Sequence, residues 1–133
     1  MLSLVGVRTG TAPEVVEQIE AGLGYSAVEN LHAAMQLPVE EIASLARISP
    51  RTLARRKISG KLNLDESERI FRLASVFEKA IQLFEGDRDA ARRWLQTSRA
   101  AFGGQSALQF AETDIGAREV EDMIERIEYG VIS

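Results

Sequence analysis

Apolar residues recur at intervals of three and four along almost the whole chain, the spacing that places side chains on one face of an α-helix. Apart from a possible extended start at Leu2 to Val7, no alternating strand pattern of useful length appears, so the pattern predicts an all-α protein. A first helix begins near Pro13, a residue suited to an opening turn, passes Val16 and Ile19, and stops at Gly22 and Gly24. A second, from about Ser26 to Met35, turns Leu31 and Met35 inward. Pro38 opens a short helix carrying Ile42 and Leu45, and Ser49-Pro50 opens another carrying Leu53, with Ser49 as its N-cap.

A long helix from about Asp65 to Phe84, ended by Gly86, has an unusually wide apolar arc. Ile70, Leu73, Ala74, Phe77, Ala80, Ile81 and Phe84 form one stripe, while Phe71, Val76 and Leu83 spread it around the cylinder. Covering both sides requires either the C-terminal half of the chain or a second subunit. Asp87 caps a further helix through Trp94 and Leu95, which leads into a loop, Ala101-Phe102-Gly103-Gly104. Trp94 is expected in the core, and Gly103 and Gly104 are expected to serve backbone geometry. Ser106 caps a short helix holding Leu108 and Phe110. Asp114 is expected to cap the last one, whose Ile115, Val120, Met123, Ile124 and Ile127 form one stripe closed by Gly130. The boundaries expected are a helix-turn-helix domain over 1–62 and a linking helix with a C-terminal domain over 63–133.

Composition narrows what such a helical chain can do. At 133 residues there is room for one domain or two very small ones, and 45% hydrophobic against 27% charged residues suits a packed core with a charged surface. No apolar run is long enough to span a bilayer, and the first residues do not read as a secretion signal, so a cytoplasmic location is expected. Zero cysteines exclude disulfides, thiolate catalysis and Cys-based zinc sites, and a single histidine excludes a His-His metal pair. That histidine, His32, lies beside Leu31 on a helix expected to be packed, and Asp87 and Asp89 suit helix-start charges. Neither an enzyme nor a cofactor is expected.

Charge is polarised along the chain. From Ile42 to Leu64 there are six cations, Arg47, Arg51, Arg55, Arg56, Lys57 and Lys61, and no acid, a local +6 within a chain of net −4. From Glu112 to Ser133 seven acids face only Arg118 and Arg126, a local −5 before the terminal carboxylate. The basic window coincides with a two-helix pattern over Glu41 to Lys57. In it Ala43 is small at the crossing, Ile48 plugs the angle, and Leu53 pins the second helix. That second helix would present Arg51, Thr52, Arg55 and Arg56, with Arg47 and Lys57 at its margins, to a DNA major groove. The turn position where such motifs favour glycine is Arg47, so a slightly altered turn is expected. One unit of this kind offers few contacts, so a dimer presenting two reading helices is expected.

Four segments together resemble the Xre/MbcA/ParS antitoxin family: Ile48-Ser49-Pro50-Arg51-Thr52-Leu53-Ala54-Arg55-Arg56-Lys57; Ala91-Arg92-Arg93-Trp94-Leu95; the Phe102-Gly103-Gly104 loop; and Gly116-Ala117-Arg118-Glu119-Val120-Glu121-Asp122 leading to Arg126-Ile127-Glu128-Tyr129-Gly130-Val131. The resemblance implies an N-terminal Xre-like helix-turn-helix bundle followed by a small helical toxin-binding domain. It also implies a RES-domain, NAD-directed toxin as partner, and repression of the operon. The chain departs from the family at Ser98 and Ala107, where prolines are usual, which softens two turns. For neutralisation, the acidic C-terminal region matches a pocket that handles a dinucleotide pyrophosphate. On this reading Arg118, Glu119, Asp122, Glu125, Arg126 and Glu128 contact the toxin. Tyr129, Val131 and Ile132 anchor the contact, and the carboxylate at Ser133 helps to block the toxin's entrance. The alternative is a free-standing helix-turn-helix regulator whose C-terminal domain only dimerises.

Overall fold

The computed structural model describes residues 11–130. The possible extended start at Leu2 to Val7 therefore lies outside the described residues, as do Val131, Ile132 and Ser133. Among the described residues there are eight α-helices and no named strand. In chain order they are α1 (Ala12–Ala21), α2 (Ser26–Met35), α3 (Val39–Leu45), α4 (Pro50–Ser59), α5 (Leu64–Leu83), α6 (Arg88–Gln96), α7 (Ala107–Phe110) and α8 (Asp114–Glu128), with a 3-10 turn at Ala100–Phe102. The chain divides into two compact units whose boundary falls inside α5, between Ala74 and Ser75.

The first unit is built on α2, α3 and α4, with Val28, Leu31 and Ile42 fully buried and Met35 nearly so. The start of α5 closes it through Ile70 and Leu73. Two connections tie the ends of helices together. The loop after α1 and the loop after α4 exchange backbone bonds, Leu62 N–H to Leu23 carbonyl at 2.8 Å and Tyr25 N–H to Gly60 carbonyl at 2.9 Å. Ser67, fully buried on α5, accepts a bond from the Leu23 N–H at 2.9 Å. Helix α4 starts as its composition predicts, with Pro50 in the first turn and the Ser49 side chain accepting from the Thr52 N–H.

The second unit packs Val76, Phe77, Ala80 and Ile81 of α5 in a core that also holds Ala91, Leu95, Val120 and Ile124. Of the wide apolar arc of α5, Ile70, Val76, Phe77 and Ala80 are at 0% exposure, while Phe71, Leu83 and Phe84 are half-buried. The helix ends at Leu83, one residue before Phe84. Its left-handed closing residue is Glu85, whose N–H bonds the Gln82 carbonyl while that of Gly86 bonds the Ile81 carbonyl. Asp87 caps α6 through the Ala90 N–H. Trp94 is only half-buried, and the Arg99 guanidinium lies 4.6 Å over its ring while donating to the Trp94 carbonyl at 3.1 Å. Gly103 and Gly104 both take positive φ, with open space where a Cβ would lie, which agrees with a backbone role. Ser106 caps α7 reciprocally with Gln109, and Phe102 stacks on Phe110 at 5.0 Å.

Helix α8 departs from expectation at its start. Its N-cap is Thr113, whose hydroxyl accepts from the Gly116 N–H at 3.0 Å, and Asp114 is instead the first helical residue. Ile115 is not part of the buried stripe: at 77% exposure it faces outward, and Met123 and Ile127 are half-buried. The inward positions are Gly116, Ala117, Val120 and Ile124. Helical spacing explains the phase: at 100° per residue Ile115 lies about 140° from Val120, whereas Gly116 and Ala117 lie within about 60° of it. A Cβ at Gly116 would lie 1.7 Å from the Phe110 carbonyl oxygen, so α7 and α8 approach where only glycine fits. In an unconstrained helix Gly116→Ala would stabilise by ~1 kcal/mol through propensity. Here it should instead destabilise by roughly 2–3 kcal/mol by overpacking, read as a lower thermal midpoint; a raised midpoint would disprove the close approach.

Candidate functional site

The helix-turn-helix pair of α3 and α4 is held by the three residues its spacing predicts: Ala43, Ile48 and Leu53 are 2%, 4% and 8% exposed. The turn between them is fully formed in spite of its arginine. Arg47 takes φ 55, its N–H bonds the Ser44 carbonyl at 3.0 Å, and the Ile48 N–H bonds the Ala43 carbonyl at 2.8 Å. Two bonds of this kind satisfy the carbonyls at a helix C-terminus, and they hold Arg47 in a conformation that costs a non-glycine residue about 1 kcal/mol. From α5 the Arg69 guanidinium adds a bond to the Ala46 carbonyl at 2.5 Å, which fixes the same corner from the other side.

On α4 the cations divide into two groups. Arg51, Arg55 and Lys57 are exposed, as is Arg47 at the turn. Arg55 donates to the Thr52 hydroxyl at 3.3 Å, and Thr52 in turn takes a bond from Ser49 at 3.0 Å, so the first turn of α4 steadies Arg55. Arg56 points elsewhere: it makes a two-pronged pair with Glu66 of α5, at 2.8 and 3.2 Å. Glu66 is 4% exposed and also closes the start of α5, its carboxylate accepting from the Asn63 N–H at 3.0 Å while the Asn63 side chain accepts from the Glu66 N–H at 2.8 Å. Composition does not single out Glu66 or Arg69. The Asn-x-x-Glu spacing at 63–66 is a capping signal that could have found the former, while nothing local marks the latter.

Burial works to raise the Glu66 pKa, but the Arg56 and Asn63 hydrogen bonds and the charges of Arg56 and Arg69 outweigh it, leaving the carboxyl below its usual range. The ionised form therefore stabilises the fold. That stabilisation is present above the ordinary carboxylate range and is lost as pH falls through the lowered folded value.

In the second unit every described residue assigned to partner contact by the sequence lies at the surface. Arg118, Glu119, Asp122, Glu125, Arg126, Glu128 and Tyr129 are all exposed on α8 or at its end. Asp122, Glu125, Arg126 and Tyr129 line one hollow of about 300 Å³. Lys79 of α5 lies 3.5 Å from Glu121 and 3.4 Å from Glu125, so Glu125 has a cation from its own chain, a partly exposed pair of small energetic weight. Ile115 and Tyr129, at 77% and 75% exposure, lie about 21 Å apart along the same outward side of the helix. Val131 and Ser133 fall outside the described residues.

His32 is exposed, not packed, and its Nδ1 bonds the Leu37 carbonyl at 2.5 Å. Among the described residues no group of three or more His, Asp or Glu side chains is placed to hold a metal, and no helix is long and apolar enough to cross a membrane.

The antitoxin Xre-like helix-turn-helix domain model matches residues 14–75, and the antitoxin Xre/MbcA/ParS C-terminal toxin-binding domain model matches residues 79–130. The chain is 34% identical over 130 residues to the Antitoxin Xre of Yersinia enterocolitica, covering 97% of this chain and 88% of that one. It is 31% identical over 130 residues to the Antitoxin Xre of Photorhabdus laumondii, with the same coverage of 97% and 88%. A third Antitoxin Xre, from Pseudomonas putida, is 36% identical over 69 residues, 52% of this chain and 43% of that one.

Replacing Glu66 with Gln should lower stability by about 1–3 kcal/mol through loss of a charged, hydrogen-bonded pair, and should flatten the loss of stability in acid. Urea titrations at pH 7 and pH 3.5 check both; identical acid sensitivity in the two proteins would refute the assignment.

Proposed function

Since the chain belongs to the Xre antitoxin family, we propose that it neutralises a cognate RES-domain toxin through its C-terminal unit and represses its own operon through α4. The observation that carries this reading is the division of surfaces. Four cations, Arg47, Arg51, Arg55 and Lys57, stand exposed on the turn and on α4, and an acid-rich outward face occupies α8, each within its own unit.

Duplex DNA attracts the first by counterion release, and the major groove admits a helix carrying arginines that reach phosphates or guanine edges. A dinucleotide-handling toxin is basic where it binds pyrophosphate. Asp122, Glu119 and Glu128 supply the complementary charge, and Tyr129 with Ile115 supplies apolar contact. In this reading the segment after Glu128, including Val131 and Ser133, occupies the toxin's entrance and blocks its active site. Arg56 serves the fold as the partner of Glu66 and contributes to DNA binding through the placement of α4. Two copies of the chain acting together on one operator would give two reading helices, since one such unit makes few contacts.

Arg51→Ala with Arg55→Ala should weaken binding to the duplex upstream of the gene and lower the magnitude of its salt slope by up to about two, one for each phosphate no longer neutralised. Unchanged affinity would remove α4 as the reading helix. Co-expressed with the adjacent RES-type reading frame, the full chain should co-purify with it. Asp122→Lys with Tyr129→Ala should abolish that complex without lowering the thermal midpoint, and a chain ending after Ile127 should fail to neutralise. Retained neutralisation by the shortened chain would exclude the tail as the blocking element, and no complex at all would leave a free-standing regulator whose C-terminal unit dimerises.

A further inference from the structure

Ile58 is 89% exposed, the most exposed of the large apolar side chains on the described surface. It stands on the side of α4 that turns away from the core. At 100° per residue it lies within about 60° of Arg51, Ala54 and Arg55, all of which are exposed, and opposite the side marked by buried Leu53. An isoleucine placed there does nothing for folding. Its surroundings also tell against burial by a second copy. In sequence Arg55 and Lys57 precede it and Lys61 follows it, with no acid anywhere between Ile42 and Leu64, so pairing two copies through this stretch of α4 would bring like charges together. The same cations suit a polyanion.

We infer that Ile58 is a specificity-determining residue that packs on the 5-methyl group of a thymine in the major groove, beside the polar contacts made by Arg51 and Arg55. The inference rests on α4 being the reading helix. A thymine methyl is the one apolar group a base pair presents in the major groove, and it discriminates T·A from every pair that lacks it. Ile58 follows Arg51 by seven residues, about 10 Å along the helix, which corresponds to about three base-pair steps. The thymine should therefore lie about three base pairs from the position that Arg51 reads. Ala54, between them on the same side, is short enough to let the helix approach the base edges.

The test uses the full chain and a duplex that it selects from a random-sequence pool. In that duplex each thymine is replaced in turn by deoxyuridine, which removes the methyl and nothing else. Wild type should lose about fourfold in affinity at one position, the value of burying one methyl group, located about three base pairs from the base whose preference disappears on Arg51→Ala. Ile58→Ala should bind the thymine duplex about as weakly as wild type binds the deoxyuridine duplex, and should no longer distinguish the two. At 89% exposure the side chain can be shortened without unfolding the chain, which an unchanged thermal midpoint confirms. Equal wild-type affinity for all deoxyuridine duplexes would overturn the inference. So would an Ile58→Ala variant that retains the distinction, or one that changes only the oligomeric mass and so identifies a second copy as the occupant. The underlying reading fails separately, and takes the inference with it, if no duplex is selected or if Arg51→Ala with Arg55→Ala leaves binding intact.

Discussion

The N-terminal unit depends on one buried carboxylate. Placing the Glu66 charge at 4% exposure carries a desolvation cost of several kcal/mol, and such a site is stable only when the carboxylate oxygens are well satisfied. Here the oxygens take two bonds from Arg56 and one from the Asn63 backbone. The arrangement closes the N-terminus of α5 and fixes the end of α4 against it. It also withdraws Arg56 from the outward side, so the helix presents a defined set of groups in place of a diffuse positive surface. Three residues on along α5, Arg69 grips the Ala46 carbonyl and steadies the turn that leads into α4. One helix thereby holds α4 from both of its ends.

A second constraint, steric in origin, shapes the C-terminal unit. Gly116 lets α8 approach the Phe110 carbonyl more closely than any side chain permits. That approach lets the inward side of α8, marked by Gly116, Ala117, Val120 and Ile124, seat closely on α7, and helical spacing leaves Ile115, Asp122, Arg126 and Tyr129 together on the outward side. The Thr113 cap fixes the first turn at the same point. Each unit thus seats its charged helix by a local device, an ion pair in one and a close backbone approach in the other.

Much of this is legible in the order of residues. Helix starts at Ser49, Asp87 and Ser106 can be read because a capping side chain acts on an N–H only a few positions away. The buried pins Ala43, Ile48 and Leu53 can be read because their roles follow from helical spacing. Expectation fails where the deciding partner lies outside the local pattern. Thr113 and Asp114 are both good caps, and only the geometry of the turn chooses between them. Ile115 is apolar, but at 100° per residue it lies about 140° from Val120, so helical spacing itself turns it to water while Gly116 and Ala117 take the inward positions. Arg56 looks equivalent to Arg55 until the fold brings Glu66 beside it. Arg47 looks incompatible with a tight turn until the bonds that hold it are considered.

Nucleic acid and toxin are proposed to engage separate helices, α4 in one case and α8 in the other. Amide hydrogen exchange on the full chain, measured alone, with a bound operator duplex and with co-purified toxin, addresses this separation most directly. Protection by DNA confined to residues 47–58, and protection by toxin confined to residues 115–130, are the expected results. Slowing of the same segment by both ligands, or protection by DNA centred on α8, would contradict it.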